Sequence, residues 1–285
     1  MQATQPESTV KTRVKKIGAG GSSTMEDFLA VEEPLEIQLG YHTRGQFVVR
    51  PISITMRTPG HDEELALGFL RNEAIINELN QVQKVTIPLD EQTGQPSRNR
   101  ILFHLKADAK VDLHRMERHF YTTSSCGVCG KASLEAIKLE GAVPFPGNSP
   151  GVDFQTIHSL PEKLFRSQEA FAQTGGLHAS ALFRPDGELV ILREDVGRHN
   201  AVDKVSGALL RMSDYSVNET LLLASGRTSF EILQKAIRTG ISFVAGIGAP
   251  SSLAVEMAMA FNMTLLGFVS SERFNVYSSP ERLLE

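Results

Sequence analysis

From residue 155 onward, short apolar segments alternate with amphipathic ones, and this alternation constrains the fold more than any other feature of the sequence. Apolar residues spaced three and four apart predict helices, whereas short apolar runs bounded by turn residues predict strands. The segments are a helix at 155–173, strands at 178–184 and 188–194, a helix at 199–212, a strand at 221–224, a helix at 230–238, a strand at 241–245, a helix at 252–263 and a strand at 264–269. This order predicts a largely parallel sheet covered by helices on both faces.

The first part of the chain predicts a smaller β-rich domain with one helix. Strands are expected at 35–40, 47–56, 82–87 and 100–105. Pro59-Gly60 ends the second of these strands, and Asp62 begins a helix with acidic residues in its first turn. We therefore expect a disordered polar tail at 1–24, a β-rich domain at 25–140, a Pro- and Gly-rich linker at 141–151 and an α/β domain at 152–285.

The overall charge and hydropathy exclude several classes of protein. The net charge of -4 disfavours a protein that binds nucleic acid over its whole surface. No apolar run approaches the length of about 20 residues that a membrane-spanning helix needs. No apolar segment follows the basic residues near the N-terminus, so a secretory signal is not expected either. We expect a cytoplasmic protein whose thiols are reduced.

Cys126 and Cys129 are the only two cysteines, which excludes a disulfide scaffold and a four-cysteine zinc site. Glycine and serine surround them, and a helix is expected from about Lys131. A thiol just before a helix N-terminus and beside a cation favours the nucleophilic thiolate. A nucleophilic or sulfur-carrying cysteine is therefore the leading interpretation.

Three other interpretations of the cysteine pair remain open. In the first, the two cysteines are small loop residues without a chemical role. In the second they form a dithiol redox couple. In the third they are two ligands of a zinc site, for which His119 is the only further ligand nearby in the sequence. The redox couple is disfavoured because the pair does not lie in a thioredoxin-like pattern of strands and helices.

Polar loops follow several predicted strands of the second domain. The loops 224–229 and 246–252 contain the glycine and hydroxyl residues with which backbone N–H groups bind an anion at a helix N-terminus. Strand ends in such sheets form ligand sites, so a phosphate or nucleotide pocket is predicted, with Arg198 and Arg227 offsetting its charge. Helix capping explains the charged turn 193–200 equally well.

Six motifs, in this order, resemble the formate dehydrogenase accessory sulfurtransferase family (FdhD). They are PGHDEELALGFL at 59–70, Cys126-x-x-Cys129, GLHA at 176–179, DVGRHN at 195–200, SGRTSFE at 225–231 and RFNVY at 273–277. Each motif alone is weak, but the combination is specific and extends from about residue 30 to the C-terminus.

The resemblance implies an α/β fold class, with a C-terminal cytidine-deaminase-like α/β/α sandwich and a smaller β-rich N-terminal domain. Zinc deaminases use H-x-E and P-C-x-x-C motifs. Here the first motif reads His178-Ala179-Ser180, and no cysteine follows it. We therefore expect neither deaminase chemistry nor a directly bound metal.

The resemblance also implies a cytoplasmic homodimer that acts as a sulfurtransferase. Cys126 would receive sulfur from a cysteine desulfurase as a persulfide and pass it to the molybdenum bis(molybdopterin guanine dinucleotide) cofactor, bound as substrate, for formate dehydrogenase. Cys129 would either release that sulfur by forming a disulfide or assist Cys126. The rival hypotheses are a cofactor-binding chaperone without sulfur transfer and a metal-dependent hydrolase.

The resemblance assigns cofactor contact to the segment from Phe268 to Arg273, which is otherwise an ordinary last strand and turn. A guanine nucleotide such as GDP is expected to mimic one end of the cofactor. The predicted cofactor-binding residues are Phe268, Val269, Ser270, Ser271, Glu272, Arg273, Gly226, Arg227, Thr228, Ser229, His178, Arg198, His199 and Asn200.

Overall fold

The computed structural model describes residues 8–109, 142–147, 151–212 and 217–285. Cys126 and Cys129 lie outside the described residues, as do residues 141 and 148–150 of the expected linker. No helix in the described part of the chain is both long and apolar enough to cross a membrane.

Strands β1 (Thr9–Gly18) and β2 (Gly21–Ala30) form an antiparallel two-stranded ribbon near the N-terminus. This corrects the expectation of a disordered tail up to Thr24. Apolar residues on the two strands face one another, as Val14 and Met25 do, and Lys11 lies 2.5 Å from Glu26 across the ribbon. Cross-strand pairs of this kind stabilise antiparallel strands.

The β-rich part contains a four-stranded sheet in the order β4-β3-β6-β5. Its strands are β3 (Glu33–Thr43), β4 (Gln46–Arg57), β5 (Val82–Thr86) and β6 (Arg100–Leu105). The four predicted strands are thus confirmed. Strand β3 places Leu35, Ile37, Leu39 and Tyr41 in the core, because alternate side chains point to the same face of a strand.

Helix α1 (Asp62–Asn72) covers this sheet and also packs against the second part of the chain. It crosses helix α4 (Arg198–Leu210) at Gly68 and Gly207. A Cβ atom on Gly68 would overlap the carbonyl group of Asp203, and one on Gly207 would overlap that of Glu64. The two helix backbones therefore touch, which only glycine permits.

The second part is built on a six-stranded sheet in the order β13-β12-β11-β10-β8-β9. Its strands are β8 (His178–Phe183), β9 (Leu189–Asp195), β10 (Leu221–Ala224), β11 (Phe243–Gly246), β12 (Thr264–Gly267) and β13 (Asn275–Ser278). Only β10–β11 and β11–β12 pair in parallel, whereas the other three pairs are antiparallel. The sheet is mixed rather than largely parallel, because β8 and β9 form a hairpin and β13 folds back along β12.

Helices cover both faces of this sheet, as predicted. One core contains residues of α4, α5 (Phe230–Thr239) and α6 (Ser252–Ala260), and the opposite core contains residues of α2 (Phe154–Ser167). The helix predicted at 155–173 is divided at Gln168 into two helices, α2 and α3 (Glu169–Thr174). The Glu194 carboxylate accepts hydrogen bonds from the N–H groups of Ala170 and Phe171 and so caps this second helix. The short strands β7 (Val152–Asp153) and β14 (Leu283–Leu284) pair in parallel.

A buried polar network joins α1, α4 and α5. The Asp203 carboxylate accepts from Lys235 Nζ at 2.8 Å and from Asn72 Nδ2 at 2.7 Å. Burial raises the pKa of Asp203, although Lys235 opposes that shift. Ser206 and Thr239 complete the network through a hydroxyl contact of 2.8 Å. Because these polar groups have partners in one another, the two parts of the chain share a specific interface.

Candidate functional site

Most of the predicted site residues of the second part lie at one edge of the six-stranded sheet. Strands β9, β10, β11 and β12 end at this edge, and the antiparallel strand β8 begins there. In the pairing of β8 with β9, His178 lies opposite Asp195. The segments that meet at the edge are His178, the turn 195–200 and the loops 225–229, 247–251 and 268–273.

Asp195 is fully buried and organises the turn that follows β9. Its carboxylate accepts hydrogen bonds from the backbone N–H of Thr58 at 3.2 Å, the backbone N–H of Gly197 at 2.8 Å and Asn200 Nδ2 at 3.0 Å. It also pairs with Lys204 Nζ at 2.7 Å. Lys204 in turn donates to the carbonyl oxygen of Thr58 at 2.9 Å. These bonds fix the turn that carries Arg198 and His199.

The end of β4 also holds this turn. The Asn200 side-chain amide donates to the Met56 carbonyl oxygen at 2.8 Å as well as to Asp195, and it accepts from the Thr55 hydroxyl at 3.1 Å. Both N–H bonds of the amide are thus used within the protein. Asn200, predicted as a cofactor contact, holds the turn in place in this structure.

His199 connects the turn to the first residues of α5. Its Nε2 atom lies 2.9 Å from the Glu231 carboxylate and 3.3 Å from the Ser229 hydroxyl. The hydrogen bond from His199 lowers the pKa of Glu231, although burial opposes the shift. Glu231 is therefore an anion in the first turn of a helix, where negative charge is stabilised.

His178 and Arg198 converge on Gly226. A Cβ atom at position 226 would lie 3.3 Å from His178 Nδ1 and 3.7 Å from Arg198 Cδ, so glycine makes room for both side chains. Burial, together with the charges of Arg198 and His199, lowers the pKa of His178. His178 is accordingly an uncharged imidazole near neutral pH, with one nitrogen that donates and one that accepts.

The loops that follow β10, β11 and β12 are joined to one another by backbone hydrogen bonds. Gly248 N–H donates to the Gly226 carbonyl oxygen at 3.2 Å, and Gly248 accepts from the Phe268 N–H at 3.2 Å. Thr228 N–H donates to the Ala249 carbonyl oxygen at 3.2 Å. Thr228 itself is fully buried, so its side chain lies inside this stack of loops.

The segment from Phe268 to Arg273 contains one buried side chain and several exposed ones at this edge of the sheet. Val269 is buried in the core of the sheet, whereas Phe268, Ser271, Glu272 and Arg273 are exposed. Phe268 has a φ angle of 54°, a left-handed conformation that bulky residues seldom adopt. Ser270 Oγ accepts from the backbone N–H groups of Glu272 and Arg273, and so holds the turn closed.

Three arginines bring positive charge to this edge. Arg227 and Arg273 are exposed, and the positive charge of Arg198 helps to lower the pKa of the Glu231 carboxyl. Among the described residues, the Nε atom of Arg198 is buried without a hydrogen-bond partner. Arg227 lies three residues before α5 and Arg198 lies beside Gly226, so two guanidinium groups near this helix N-terminus form an arrangement that can bind phosphate.

The described residues contain no cluster of three His, Cys, Asp or Glu side chains that would hold a metal ion. His178, the turn 198–200 and the loop 226–229, which the sequence predicted to lie together, are neighbours in the structure. The organising role of Asp195 and the contacts of Thr58 and Lys204 were not predicted. No local pattern signals these contacts, because Thr58 and Lys204 are 146 residues apart.

The chain is similar to proteins of a known family. The family model described as FdhD/NarQ family matches residues 30–284. A protein named sulfur carrier protein FdhD, from Streptomyces coelicolor, is 43% identical over 277 residues, which cover 96% of this chain and 95% of the relative. A protein of the same name from Sulfolobus acidocaldarius is 42% identical over 273 residues, covering 96% of this chain and 98% of the relative.

A solved structure is also similar. The crystal structure of a putative formate dehydrogenase accessory protein from Desulfotalea psychrophila matches with a TM-score of 0.73 and 27% sequence identity. The match covers 98% of this chain and 100% of that one.

Proposed function

Because the chain belongs to the FdhD/NarQ family, we propose that it is a sulfur carrier that serves the maturation of a formate dehydrogenase. The observation that carries this proposal is the match, over nearly the full length, to relatives named sulfur carrier proteins. The cationic edge described above supports it, because the cofactor to be sulfurated ends in nucleotides that carry phosphate.

Sulfur enters on Cys126 in this proposal. The Cys126 thiolate attacks the outer sulfur of a persulfide on a cysteine desulfurase, so a new S–S bond forms on Cys126 as the S–S bond of the donor breaks. The donor leaves as a thiolate, and the transfer has no net oxidation or reduction. Cys129 then either displaces the outer sulfur by closing a disulfide or assists Cys126 without forming one.

The molybdenum bis(molybdopterin guanine dinucleotide) cofactor is the substrate that receives the sulfur. The edge that contains Gly226 holds its guanine nucleotide end, with Arg198 and Arg227 binding phosphate and the N-terminus of α5 adding backbone N–H groups. The uncharged His178 donates or accepts a hydrogen bond there without adding a further charge. These residues bind and orient the substrate, and the cysteine pair does the chemistry. The protein acts in the cytoplasm, where thiols stay reduced.

Intact mass spectrometry after incubation with a cysteine desulfurase and cysteine tests the proposal. The wild-type protein should gain the mass of one or more sulfur atoms, and a thiol reductant should remove that mass. Cys126→Ala should abolish most of the gain. Equal gain by the wild type and by the variant lacking both cysteines would show that the protein is no sulfur carrier on these residues.

A second assay separates the carrier from the cofactor-binding chaperone. In cells that need this protein for formate dehydrogenase activity, the variant lacking both cysteines should fail to restore activity. If that variant restores activity fully, the protein serves its client by binding the cofactor. Cys129→Ala tests the disulfide step: a protein that loads sulfur normally but fails to release it assigns the release to Cys129.

A further inference from the structure

His158, on α2, contacts the segment from Phe268 to Arg273 at the edge of the sheet. Its Nδ1 atom lies 2.8 Å from the backbone carbonyl oxygen of Ser270, which is 112 residues away in the chain. A carbonyl oxygen can only accept a hydrogen bond, so Nδ1 carries a proton and donates it. The bond therefore ties α2 directly to this segment.

Two phenylalanine rings support the His158 side chain. The centroid of the His158 ring lies 5.1 Å from that of Phe274, and the Phe274 ring meets the Phe154 ring edge to face at 5.5 Å. Phe154 and His158 are four residues apart on α2, so they lie on the same side of that helix. Phe274 also packs against the core of the sheet. Because these contacts restrict rotation of the imidazole, Nδ1 donates in a defined direction.

Ser270 in turn shapes the rest of the segment. Its N–H donates to the Arg273 carbonyl oxygen at 2.9 Å, and its hydroxyl oxygen accepts from the N–H groups of Glu272 and Arg273 at 3.3 Å and 3.1 Å. These bonds close a turn in which Ser271, Glu272 and Arg273 are exposed. The position of Ser270 therefore sets where the turn presents Arg273.

The start of the segment is held by other partners. The N–H groups of Phe268 and Val269 donate to the carbonyl oxygens of Gly248 and Gly246, at the end of β11 and in the loop after it. Phe268 has a φ angle of 54°, and a bulky residue keeps this conformation only where its surroundings hold it. His158 adds a hydrogen bond from the opposite side of the segment, on a different element. The segment is thus fixed between α2 and the loop that follows β11.

We propose that His158 is a positioning residue of the nucleotide-binding edge. By fixing the Ser270 carbonyl group, it holds the turn where Phe268 and Arg273 meet the nucleotide. The inference rests on the proposed function, in which this edge binds the guanine nucleotide end of the cofactor. His158 contacts neither the nucleotide nor the transferred sulfur and acts through Ser270. Without it, the ligand must order the turn on binding, and this ordering lowers the affinity.

Titration calorimetry of the full chain with GDP tests this. His158→Leu removes the donor and should weaken GDP binding roughly tenfold, the usual cost of an acceptor left without its partner. His158→Asn should bind GDP like the wild type, because its side-chain amide places an N–H group near the position of Nδ1. The matched control is Phe154→Leu, which removes the ring against Phe274 on the same helix and keeps the hydrogen bond of His158. It should lower the unfolding midpoint in urea and leave GDP affinity unchanged.

Hydrogen exchange of the free protein is the second measurement. The Ser270 amide, which is bonded to Arg273, should exchange faster in His158→Leu than in the wild type or in His158→Asn. Equal GDP affinity of the wild type and a folded His158→Leu variant overturns the proposal, as does a wild type that binds no GDP. A Phe154→Leu or His158→Asn variant that binds as weakly as His158→Leu overturns it too, because the role of His158 would then be structural only.

Sulfur loading separates this inference from the proposed function. Loading by a cysteine desulfurase should be the same in the wild type and in His158→Leu, because the cysteine pair does that chemistry. A wild type that gains no sulfur would contradict the carrier, whereas an unchanged GDP affinity in His158→Leu would contradict the positioning role. The two failures are therefore seen in different assays.

Discussion

Asp195 and Lys204 form an ion pair of 2.7 Å in which both side chains are almost completely buried. The pair lies between the candidate site and the end of β4, because Lys204 donates to the Thr58 carbonyl oxygen and Asp195 accepts from the Thr58 N–H. The β-rich part of the chain therefore helps to hold the turn that carries Arg198 and His199. The site belongs to both parts of the protein.

Lys204→Met should destabilise the protein by about 3–5 kcal/mol, because it leaves the Asp195 carboxylate buried without its cation. Urea unfolding at neutral pH measures the loss. The matched control is Arg166→Met, since Arg166 pairs with Glu162 on the surface with both side chains mostly exposed. That change should cost less than about 1 kcal/mol. Equal losses in the two variants would contradict the role given to Lys204.

Gly207→Ala should destabilise the protein by about 3 kcal/mol or more, which is the upper range for overpacking, since the new methyl group would overlap backbone atoms that cannot rotate away. The unfolding midpoint in urea reports the effect. Gly147→Ala serves as its control, because a Cβ atom there meets nothing within 4 Å. A stable Gly207→Ala variant would mean that α1 and α4 separate easily at their crossing.

Acid stability should depend on the pairing of Glu64 with Arg193. Burial alone would raise the pKa of Glu64, but hydrogen bonds from Arg193 and His61 lower it to about 2, from 4.5. A carboxylate with a lowered pKa stabilises the folded state fully above pH 4.5, and this contribution disappears as the pH falls toward 2.

Arg193→Met should accordingly cost more stability at pH 6 than near pH 3, because at pH 3 the Glu64 carboxyl is largely protonated in the unfolded chain and must lose its proton on folding to pair with Arg193. Urea unfolding of both proteins at the two values measures the difference. The comparison variant is Arg184→Met, whose partner Glu188 is exposed. A difference between wild type and Arg193→Met that stays constant with pH would refute the assignment.

Arg227→Ala should weaken the binding of GDP by about 1.5–3 kcal/mol, the usual contribution of a hydrogen bond to a charged group. This corresponds to roughly a tenfold to hundredfold loss of affinity. Titration calorimetry gives the dissociation constants. Arg184→Ala, on the hairpin between β8 and β9 and away from the site edge, should bind GDP like the wild type. Unchanged affinity in a folded Arg227→Ala protein would remove that residue from the site.

The purified protein should contain no stoichiometric zinc. The sequence has two cysteines, and the position equivalent to the deaminase H-x-E motif reads His178-Ala179-Ser180, so the ligands of a deaminase-type tetrahedral site are incomplete. Elemental analysis of the protein, before and after dialysis against a chelator, measures the metal content. One zinc per chain that is lost in Cys126→Ala would assign the cysteine pair to a metal site instead.

The local elements of the fold could be predicted from the sequence, whereas the pairing between distant elements could not. Strand β3 and helix α1 follow directly from alternation and from the acidic residues after Pro59-Gly60. Strands β8 and β13 run antiparallel to their neighbours β10 and β12. The periodicity of a segment predicts a strand but does not indicate whether that strand runs parallel or antiparallel to its neighbour. The ribbon was missed because its polar composition resembles a disordered tail, while its order comes from cross-strand pairs.

The candidate site shows the same division. Glycine and hydroxyl residues at the strand ends predicted the loops at 224–229 and 246–252, because such residues recur where a sheet edge binds an anion. The hydrogen bonds of Asp195 to Thr58 and Lys204 carry no such signal, since they depend on the packing of two parts of the chain. Likewise, burial of Thr228 and Val269 emerges only once the loops are stacked.

The joined loops have a consequence for hydrogen exchange. Phe268 donates to Gly248, and Gly248 donates to Gly226, so the three loops form a chain of bonds across the edge. Breaking one bond loosens the next, and the amide protons of Gly248, Phe268 and Val269 should therefore exchange with solvent in a single cooperative opening. A ligand held at Gly226 would slow exchange at Phe268, on the far side of the loops, by the same factor by which it suppresses that opening.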